Sequence, residues 1–337
     1  MNEIITEEIL SLNSRVNIEK FEDSKILVTG ASGMLGSYIA NNLNNLLELN
    51  GKLPARMLLT SRNGNFSNIR NRGNKNFSYY SGHFNQLLLE DGFEFVFHAA
   101  SPASPTQYTD PDAILEANLI PLRKIADTQT ALQEIYFISA GETYGTGLSE
   151  QSGAEGKEFH DVPESRRHYP LAKLAAEESI RNIAEEKDCA FRIIKLFHCF
   201  GPGVRENDGR SFADFIWAVA RGRVPKMKSA GDDLRSFLYL EDVMAGLLVD
   251  SENEINLEFN LGSRKMISIL DFARKVMQVG NVHGEPVRDF DSTYIQSPHR
   301  TITPNCEWLY SQGWAEMVSL DDAILRTLKS IKSSADF

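Results

Sequence analysis

A doubly wound α/β domain on a parallel sheet, followed by a smaller C-terminal lobe, is the fold class this sequence predicts, on three observations. Five short apolar runs alternate with helix-length amphipathic stretches, a glycine-rich turn follows the first run, and the alternation loosens after Gly201. The runs are KILVT (25–29), RMLLT (56–60), EFVFHA (94–99), EIYFIS (134–139) and FRIIKLF (191–197). Each is apolar on both faces, as a parallel strand covered by helices on both sides must be.

Taken in order, residues 1–24 precede the first strand and read as an N-terminal extension, a helix plus a linker. Next comes VTGASGMLGSYIA, with glycines at 30, 33 and 36, placed between a strand and a helix. In that context backbone amides and a helix N-terminus face a pyrophosphate, and the glycines permit close approach. The turn therefore predicts a Rossmann-like dinucleotide-binding domain over residues 25–200, to which 235–262 returns. The stretch SRNGNFSNIRNRGNK (61–75) is polar and rich in Gly and Asn, which predicts a mobile loop. Pro121 in EANLIPLRKIA predicts a helix kink. Beyond Gly201, loops rich in Gly, Pro and charge (201–211, 221–236, 281–305) enclose short helices. Residues 201–234 and 263–337 are assigned to the substrate-binding lobe.

Composition removes several function classes. At 337 residues the chain buries a large core, and 42% apolar with 24% charged residues is ordinary for a globular protein. A net charge of -11 and a pI near 5.2 argue against a nucleic-acid groove or an anionic membrane surface as main partner. No apolar run is long enough to span a bilayer, and MNEIITEEIL lacks the cationic start of a secretion signal, so a cytoplasmic location is expected. Cys189, Cys199 and Cys306 are scattered without a CxxC pair, which suggests neither a disulfide framework nor a metal site.

Three places carry chemistry. The second strand ends in Thr60-Ser61-Arg62, where a dinucleotide fold often presents an acid to the adenosine ribose. With no carboxylate there, Arg62 either holds a 2′-phosphate, which makes NADP an alternative to NAD, or stacks on adenine. Tyr169 and Lys173, four apart in HYPLAKLAAEESI, project from one helix face. An ammonium beside a phenol favours the phenolate, which makes Tyr169 a candidate base toward a sugar hydroxyl. Finally, ISAGETYG (138–145) ends an apolar run at Ala140-Gly141 and presents Glu142.

These motifs, TGASGMLG (29–36), HAASPASP (98–105), SAGETYG (139–145), Tyr169 with Lys173, FGPGVRENDGRSFADFI (200–216) and RSFLYLEDV (235–243), together resemble a known family. It is the extended short-chain dehydrogenase/reductase family acting on nucleotide sugars, the NAD-dependent epimerase/dehydratase family. The resemblance runs from about residue 24 to about residue 330. The nearest branch is UDP-glucuronate decarboxylase, favoured by HAASPASPTQY, NDGRSFADFI and Arg300 in SPHRTITP, with dTDP-glucose 4,6-dehydratase as a cousin.

The resemblance implies a redox-neutral cycle on tightly held NAD. Tyr169 removes the proton of the sugar C4 hydroxyl while hydride passes to the nicotinamide, and Lys173 holds the ribose and depresses the tyrosine pKa. The 4-ketone makes a C6 carboxylate a β-keto acid, which loses carbon dioxide, with Glu142 and Arg300 managing carboxylate and enolate. Cofactor contacts are expected from Gly30, Ser32, Gly33, Met34, Leu35, Gly36, Arg62, Ala99, Ala100 and Ser101 besides Tyr169 and Lys173. Substrate contacts are expected from Ser104, Tyr108, His198, Arg210, Arg235 and Arg300, with Arg210 and Arg235 clamping the diphosphate. Relatives pair two helices per subunit into a homodimer, for which helices around 112–130 and 169–187 are the candidates.

Four departures qualify the resemblance. Ala140 replaces a Ser or Thr whose hydroxyl shuttles the C4 proton, a role left to Thr143 or water. Gly141 stands where the dehydratases carry an aspartic acid. His198 replaces an asparagine beside the sugar nucleotide and is either a packed residue or a contact, and His83 replaces an acid near the adenine and reads as packed. The readings left open are a decarboxylase of UDP-glucuronate or a related uronate, a 4-epimerase or another redox-neutral sugar-nucleotide enzyme, an NADP-dependent 4-keto-sugar reductase, and a non-catalytic dinucleotide-binding protein.

Overall fold

The computed structural model describes residues 3–102, 104, 110–145, 159, 162–250, 255–289 and 301–335. Helix α1 (Glu3–Asn13) leads through a 3-10 turn at Glu19–Phe21 into β1 (Lys25–Thr29), α2 (Met34–Leu49), β2 (Arg56–Ser61), β3 (Phe77–Ser81) and β4 (Phe95–His98). Then follow α3 (Pro111–Thr128), β5 (Glu134–Ala140), α4 (Glu164–Lys187), β6 (Ala190–Leu196) and the short β7 (Cys199–Phe200). The remainder comprises α5 (Ser211–Ala220), β8 (Lys226–Met227), β9 (Leu234–Ser236), β10 (Leu238–Tyr239), α6 (Leu240–Leu247), β11 (Asn256–Leu261), β12 (Met266–Ser268) and α7 (Ile269–Val279). Two short strands, β13 (Val287–Arg288) and β14 (Thr301–Ile302), and helices α8 (Glu307–Ser311) and α9 (Leu320–Ala335) complete it.

Seven strands form one parallel sheet in the order β3-β2-β1-β4-β5-β6-β11. The chain winds outward from β1 to β3, returns to β4 and winds outward the other way. The crevice beyond the carboxyl ends of β1 and β4 is thus a topological switch point, where such sheets bind ligands. Strand alternation builds two cores. Ile26, Val28, Met57, Leu59, Phe95 and Phe97 face α1, α2 and α6, whereas Leu27, Leu58, Val96, Ile135 and Phe137 face α3 and α4. Both-sided burial explains the apolar runs. The edge strands β3 and β11 escape that criterion because each alternates buried with more exposed residues.

The first residues form a helix and a connecting segment, and both are built into the core. Ile9, Leu12 and Phe21 are buried, and Phe21 meets Phe95 edge-on at 4.8 Å between centroids. Buried Glu8 accepts hydrogen bonds from the hydroxyls of Tyr239 (2.5 Å) and Tyr38 (3.2 Å), and burial raises its pKa. The polar stretch after β2 is a loop pinned to α2: Asn41 bonds the carbonyl of Asn68 and the amide of Arg70, and Asn74 donates to Asn44. Two of the buried asparagines of α2, Asn41 and Asn44, are thereby accounted for, whereas Asn42 donates to Tyr38 O within the helix. Helix α3 runs through Pro121, which is buried and lines the crevice. A third core, centred on Phe200, Phe212, Phe237 and Phe272, holds the smaller lobe together, with Phe237 and Phe272 centroids 4.2 Å apart. No helix among the described residues is long and apolar enough to cross a membrane.

Candidate active site

The glycine turn is shaped by close approach. Gly30 has φ +69, and a Cβ there would lie 2.8 Å from Ala99 O and Ala100 N, so the β1 turn fits against the end of β4 only as glycine. Gly36 brings α2 under the turn, since a Cβ there would lie 2.4 Å from Gly30 O. The crevice is lined by Gly30, Ser32 and Gly33 on one side, by Ala99, Ala100 and Ser101 on another, and by Arg62 at its rim. Met34, Leu35 and Gly36 do not line it: the first two pack toward the core.

Beneath this crevice runs a buried polar chain that sequence reasoning did not single out. His98 Nε2 faces the carbonyl of Asn118 at 2.9 Å and so carries the hydrogen, while Nδ1 accepts from Thr29 Oγ1 at 2.6 Å. Burial holds this imidazole neutral, with its pKa lowered to about 3. Thr29 Oγ1 in turn accepts the amide of Ala100 (3.2 Å), and Asn118 Nδ2 donates to Ser101 Oγ (3.0 Å). Asn118 Oδ1 is buried without a hydrogen-bond partner, an open acceptor beside a wall of the crevice. A turn that only glycine fits matches the close approach of a dinucleotide's pyrophosphate. The signal available in the sequence was a histidine ending an otherwise apolar strand.

Tyr169 and Lys173 stand on α4, and both are buried, 6% and 2% exposed. Lys173 Nζ donates to the carbonyl of Ile138 at 2.7 Å and lies 5.8 Å from the centre of the Tyr169 ring. Burial lowers the lysine to about 7, against a smaller opposing pull from the Glu177 carboxylate. The phenol behaves contrary to the sequence expectation. Burial, reinforced by the Glu142 charge, raises it well above its usual value against a smaller opposing pull from Arg210. Ala140 packs against Tyr169, Ile114 and Ala172, so the phenol has methyl groups beside it where a hydroxyl was expected.

Thr143 does not replace that hydroxyl: it is fully buried and donates to Ala140 O at 2.8 Å, closing its own turn. The neighbouring Ser139 hydroxyl is spent on Glu177 at 2.5 Å. Gly141 is confined, since a Cβ there would lie 2.8 Å from the Phe197 ring, leaving no room for an aspartate unless the ring moves. Glu142 sits in the 3-10 turn after β5; solvent reaches its side chain, yet hydration lost to the groups around it raises its pKa. Arg210, Arg166 and Arg235 partly offset that rise.

Arg210 pairs with Asp208, whose backbone carbonyl accepts from the Ser104 hydroxyl; this ties the loop after β4 to the loop before α5. Arg235 is 6% exposed and reaches Leu234 O at 2.7 Å and Asp233 at 3.4 Å. Burial, then Arg235 and Arg210, lower His198 to about 3, so it is neutral, and its Nδ1 has no hydrogen-bond partner. Tyr169, Glu142, His198, Arg210 and Arg235 therefore share one electrostatic environment. His83 lines the rim of the cleft. Tyr108 and Arg300 lie outside the described residues. Arg205, not singled out from the sequence, lines the cleft and donates to Ser32 O at 2.8 Å.

The model of the NAD dependent epimerase/dehydratase family matches residues 26–262. UDP-glucuronic acid decarboxylase 1 of Xenopus tropicalis is 25% identical over 314 residues, 90% of this chain and 71% of that protein. The dTDP-D-glucose 4,6-dehydratase of Dictyostelium discoideum is 24% identical over 275 residues, 76% and 62% of the two chains. Among solved structures, UDP-N-acetylglucosamine 4-epimerase from Methanobrevibacter ruminantium M1 superposes with a TM-score of 0.78 at 19% identity, covering 93% of this chain and 99% of that one. UDP-glucuronic acid 4-epimerase from Bacillus cereus, solved with UDP-4-deoxy-4-fluoro-glucuronic acid and NAD, gives 0.74 at 20% identity, covering 92% and 99%. At such identities the structures speak for the fold, and the family match extends from the first strand of the sheet to the last. The chain belongs to the NAD-dependent epimerase/dehydratase family.

Proposed function

We propose that this protein is a nucleotide-sugar decarboxylase that oxidises its substrate transiently at C4, acting on UDP-glucuronate or a related uronate. One observation carries the reading: Glu142 is the carboxylate whose charge acts on the buried Tyr169 phenol, Arg210, Arg166 and Arg235 act on Glu142 in turn, and a Cβ at position 141 would meet the Phe197 ring, which leaves no space for a second acid. The dehydratase route needs that second acid to expel a hydroxyl; loss of carbon dioxide from a β-keto acid does not. The sequence similarity to UDP-glucuronic acid decarboxylases supports the same substrate class.

Bound in the crevice, oxidised NAD supplies one positive charge and a hydride acceptor that later gives the hydride back. Gly30, Ser32 and Gly33 would hold the pyrophosphate, and Ala99, Ala100 and Ser101 would line the nicotinamide half of the crevice. Tyr169 takes the C4 hydroxyl proton. Burial disfavours the charged form of each residue, raising the phenol and lowering the ammonium, so the phenolate needs a positive charge brought close to it. Once C4 is a ketone, the C5–C6 bond breaks, carbon dioxide leaves and the electron pair rests on the C4 oxygen as an enolate. Glu142, with a pKa raised above the ordinary carboxyl value, then delivers a proton to C5. Arg210 and Arg235 offset the charge of the diphosphate, and Arg300 is assigned to the C6 carboxylate.

We also assign a homodimer to the α3–α4 face, where the two helices pack side by side and Leu115 and Leu171 are 41% and 46% exposed. Incubation with UDP-glucuronate and NAD, followed by mass spectrometry of the nucleotide sugar, tests the reaction. Loss of carbon dioxide is expected; an unchanged mass with inverted C4 stereochemistry would replace the reading with an epimerase.

A further inference from the structure

Helix α4 carries more than the Tyr169–Lys173 pair. Tyr169, Lys173, Glu177 and Arg181 recur four residues apart, so they form one stripe along the helix. Strand β5 grips that stripe through successive residues: the Ile138 carbonyl accepts from Lys173 Nζ at 2.7 Å, and the Ser139 hydroxyl donates to Glu177 Oε1 at 2.5 Å. Glu177 is fully buried, and among the described residues its Oε2 has no hydrogen-bond partner.

Two cations stand near that oxygen, but a different carboxylate holds both. Lys195, on β6, lies 3.6 Å from Glu177 Oε2 and 2.7 Å from Glu258. Arg181 lies 3.7 Å from Glu177 Oε2 and 2.6 Å from Glu258. Glu258, on the edge strand β11, thus takes the short contacts, and Glu177 remains the strongest of the charges that oppose the effect of burial on Lys173. A buried carboxylate is costly unless it is closely paired. A tether between α4 and β5 would not need one, since a glutamine carbonyl accepts from a serine hydroxyl equally well.

The other groups that face Lys173 do not take this part. From β4, His98 is neutral, and from the turn after β5, Glu142 acts on Lys173 more weakly than Glu177 does. Tyr169, on α4 itself, needs a cation rather than supplying an anion.

We propose that Glu177 is a positioning residue that acts through Lys173: its carboxylate, fixed by Ser139, keeps the Lys173 side chain an ammonium beside Tyr169. This rests on the reading of Tyr169 as the base that takes the C4 hydroxyl proton. An uncharged amine at position 173 would not favour a phenolate.

Titration of the Lys173 side-chain nitrogen resonance with pH, in the purified protein carrying isotope-labelled lysine and no substrate, tests it; Lys173→Met assigns the resonance. Glu177→Gln keeps an acceptor for Ser139 and removes the charge. In that variant Lys173 is expected to lose its proton at a pH lower by about one unit or more. Its kcat on UDP-glucuronate is expected to fall by about tenfold, with KM within about threefold of the wild type. Ser139→Ala, which keeps the charge but frees the carboxylate, is the second variant and should shift Lys173 the same way by less. Glu178→Gln removes the same charge from a side chain that is 68% exposed and should leave Lys173 unmoved. A Lys173 that titrates as in the wild type in folded Glu177→Gln, or in Ser139→Ala where the first variant does not fold, would overturn the proposal. An equal shift in Glu178→Gln, or a shifted Lys173 with kcat unchanged, would overturn it as well. UDP-glucuronate returned unchanged, with the Lys173 shift present, would remove the proposed reaction and leave the hold of Glu177 on Lys173 standing.

Discussion

Ala140 is the residue on which the chemistry turns. Its methyl group packs against Tyr169, and both nearby hydroxyls are committed, Ser139 to Glu177 and Thr143 to the Ala140 carbonyl. In the proposed mechanism the C4 proton would therefore pass to Tyr169 without a relay from β5. Ala140→Ser restores a hydroxyl beside the phenol at little steric cost, and turnover is expected to rise by about tenfold if the relay alone was lost; steady-state kinetics checks this. Tyr169→Phe should lower kcat by about 10³-fold while nucleotide-sugar affinity stays within about threefold, measured by calorimetry beside kinetics. Glu142→Gln should lower kcat by about 10²-fold with a small change in KM; matched losses in both would make Glu142 a binding group instead. Lys173 carries a stability signature. Its folded pKa of about 7 lies below the ordinary lysine value of 10.5, so between those values the unfolded chain holds more protons and this group's contribution to stability rises with pH. Lys173→Met should abolish activity yet raise the melting temperature at pH 7 by roughly 2 °C or more, and should remove that rise with pH. The spacing of Tyr169 and Lys173 and the lone Glu142 could be read from the sequence. The fate of the Thr143 hydroxyl could not, because turn geometry decides its partner, and the phenol's raised pKa follows from burial that no spacing reveals.

At the scale of elements, strands buried on both faces declared themselves as apolar runs, and β1 begins and ends where its run does. Strands β3 and β11 were hidden by their edge positions, and His98 and Asn118 meet only because β4 and α3 pack together. Arg205 was hidden for the same reason, since its partner Ser32 lies 173 residues earlier. Helix α1 shows the opposite lesson: an apparent extension buries Ile9, Leu12 and a carboxylate. Glu8, whose pKa burial raises, holds its proton in the folded state at a pH where the unfolded chain has lost it. Its contribution to stability therefore falls as pH rises through that window above 4.5. Glu8→Gln should flatten this dependence and leave the fold intact at pH 7, as thermal melts between pH 4.5 and 7 would show. Removing residues 1–13 should unfold more than a terminus, because Tyr38, Tyr239 and Arg326 all lose their contact with Glu8.

For the whole molecule, the strand order places a ligand crevice at the switch point between β1 and β4, and Arg205, from the loop before α5, lines it too. The net charge of -11 makes the arginines within this site the more telling, since they concentrate positive charge where a dinucleotide and a nucleotide sugar bring phosphates. Family membership accounts for the fold and for NAD; the missing hydroxyl at Ala140 and the missing acid at Gly141 narrow the chemistry. The central claim is that this cavity decarboxylates a uronate through a C4 ketone. Its most direct measurement is mass spectrometry of the nucleotide sugar after incubation of the purified protein with UDP-glucuronate and NAD. Loss of carbon dioxide in the wild type and its absence in Tyr169→Phe is the predicted result. A wild-type protein that binds the nucleotide sugar and returns it with carboxylate and stereochemistry intact would contradict the account.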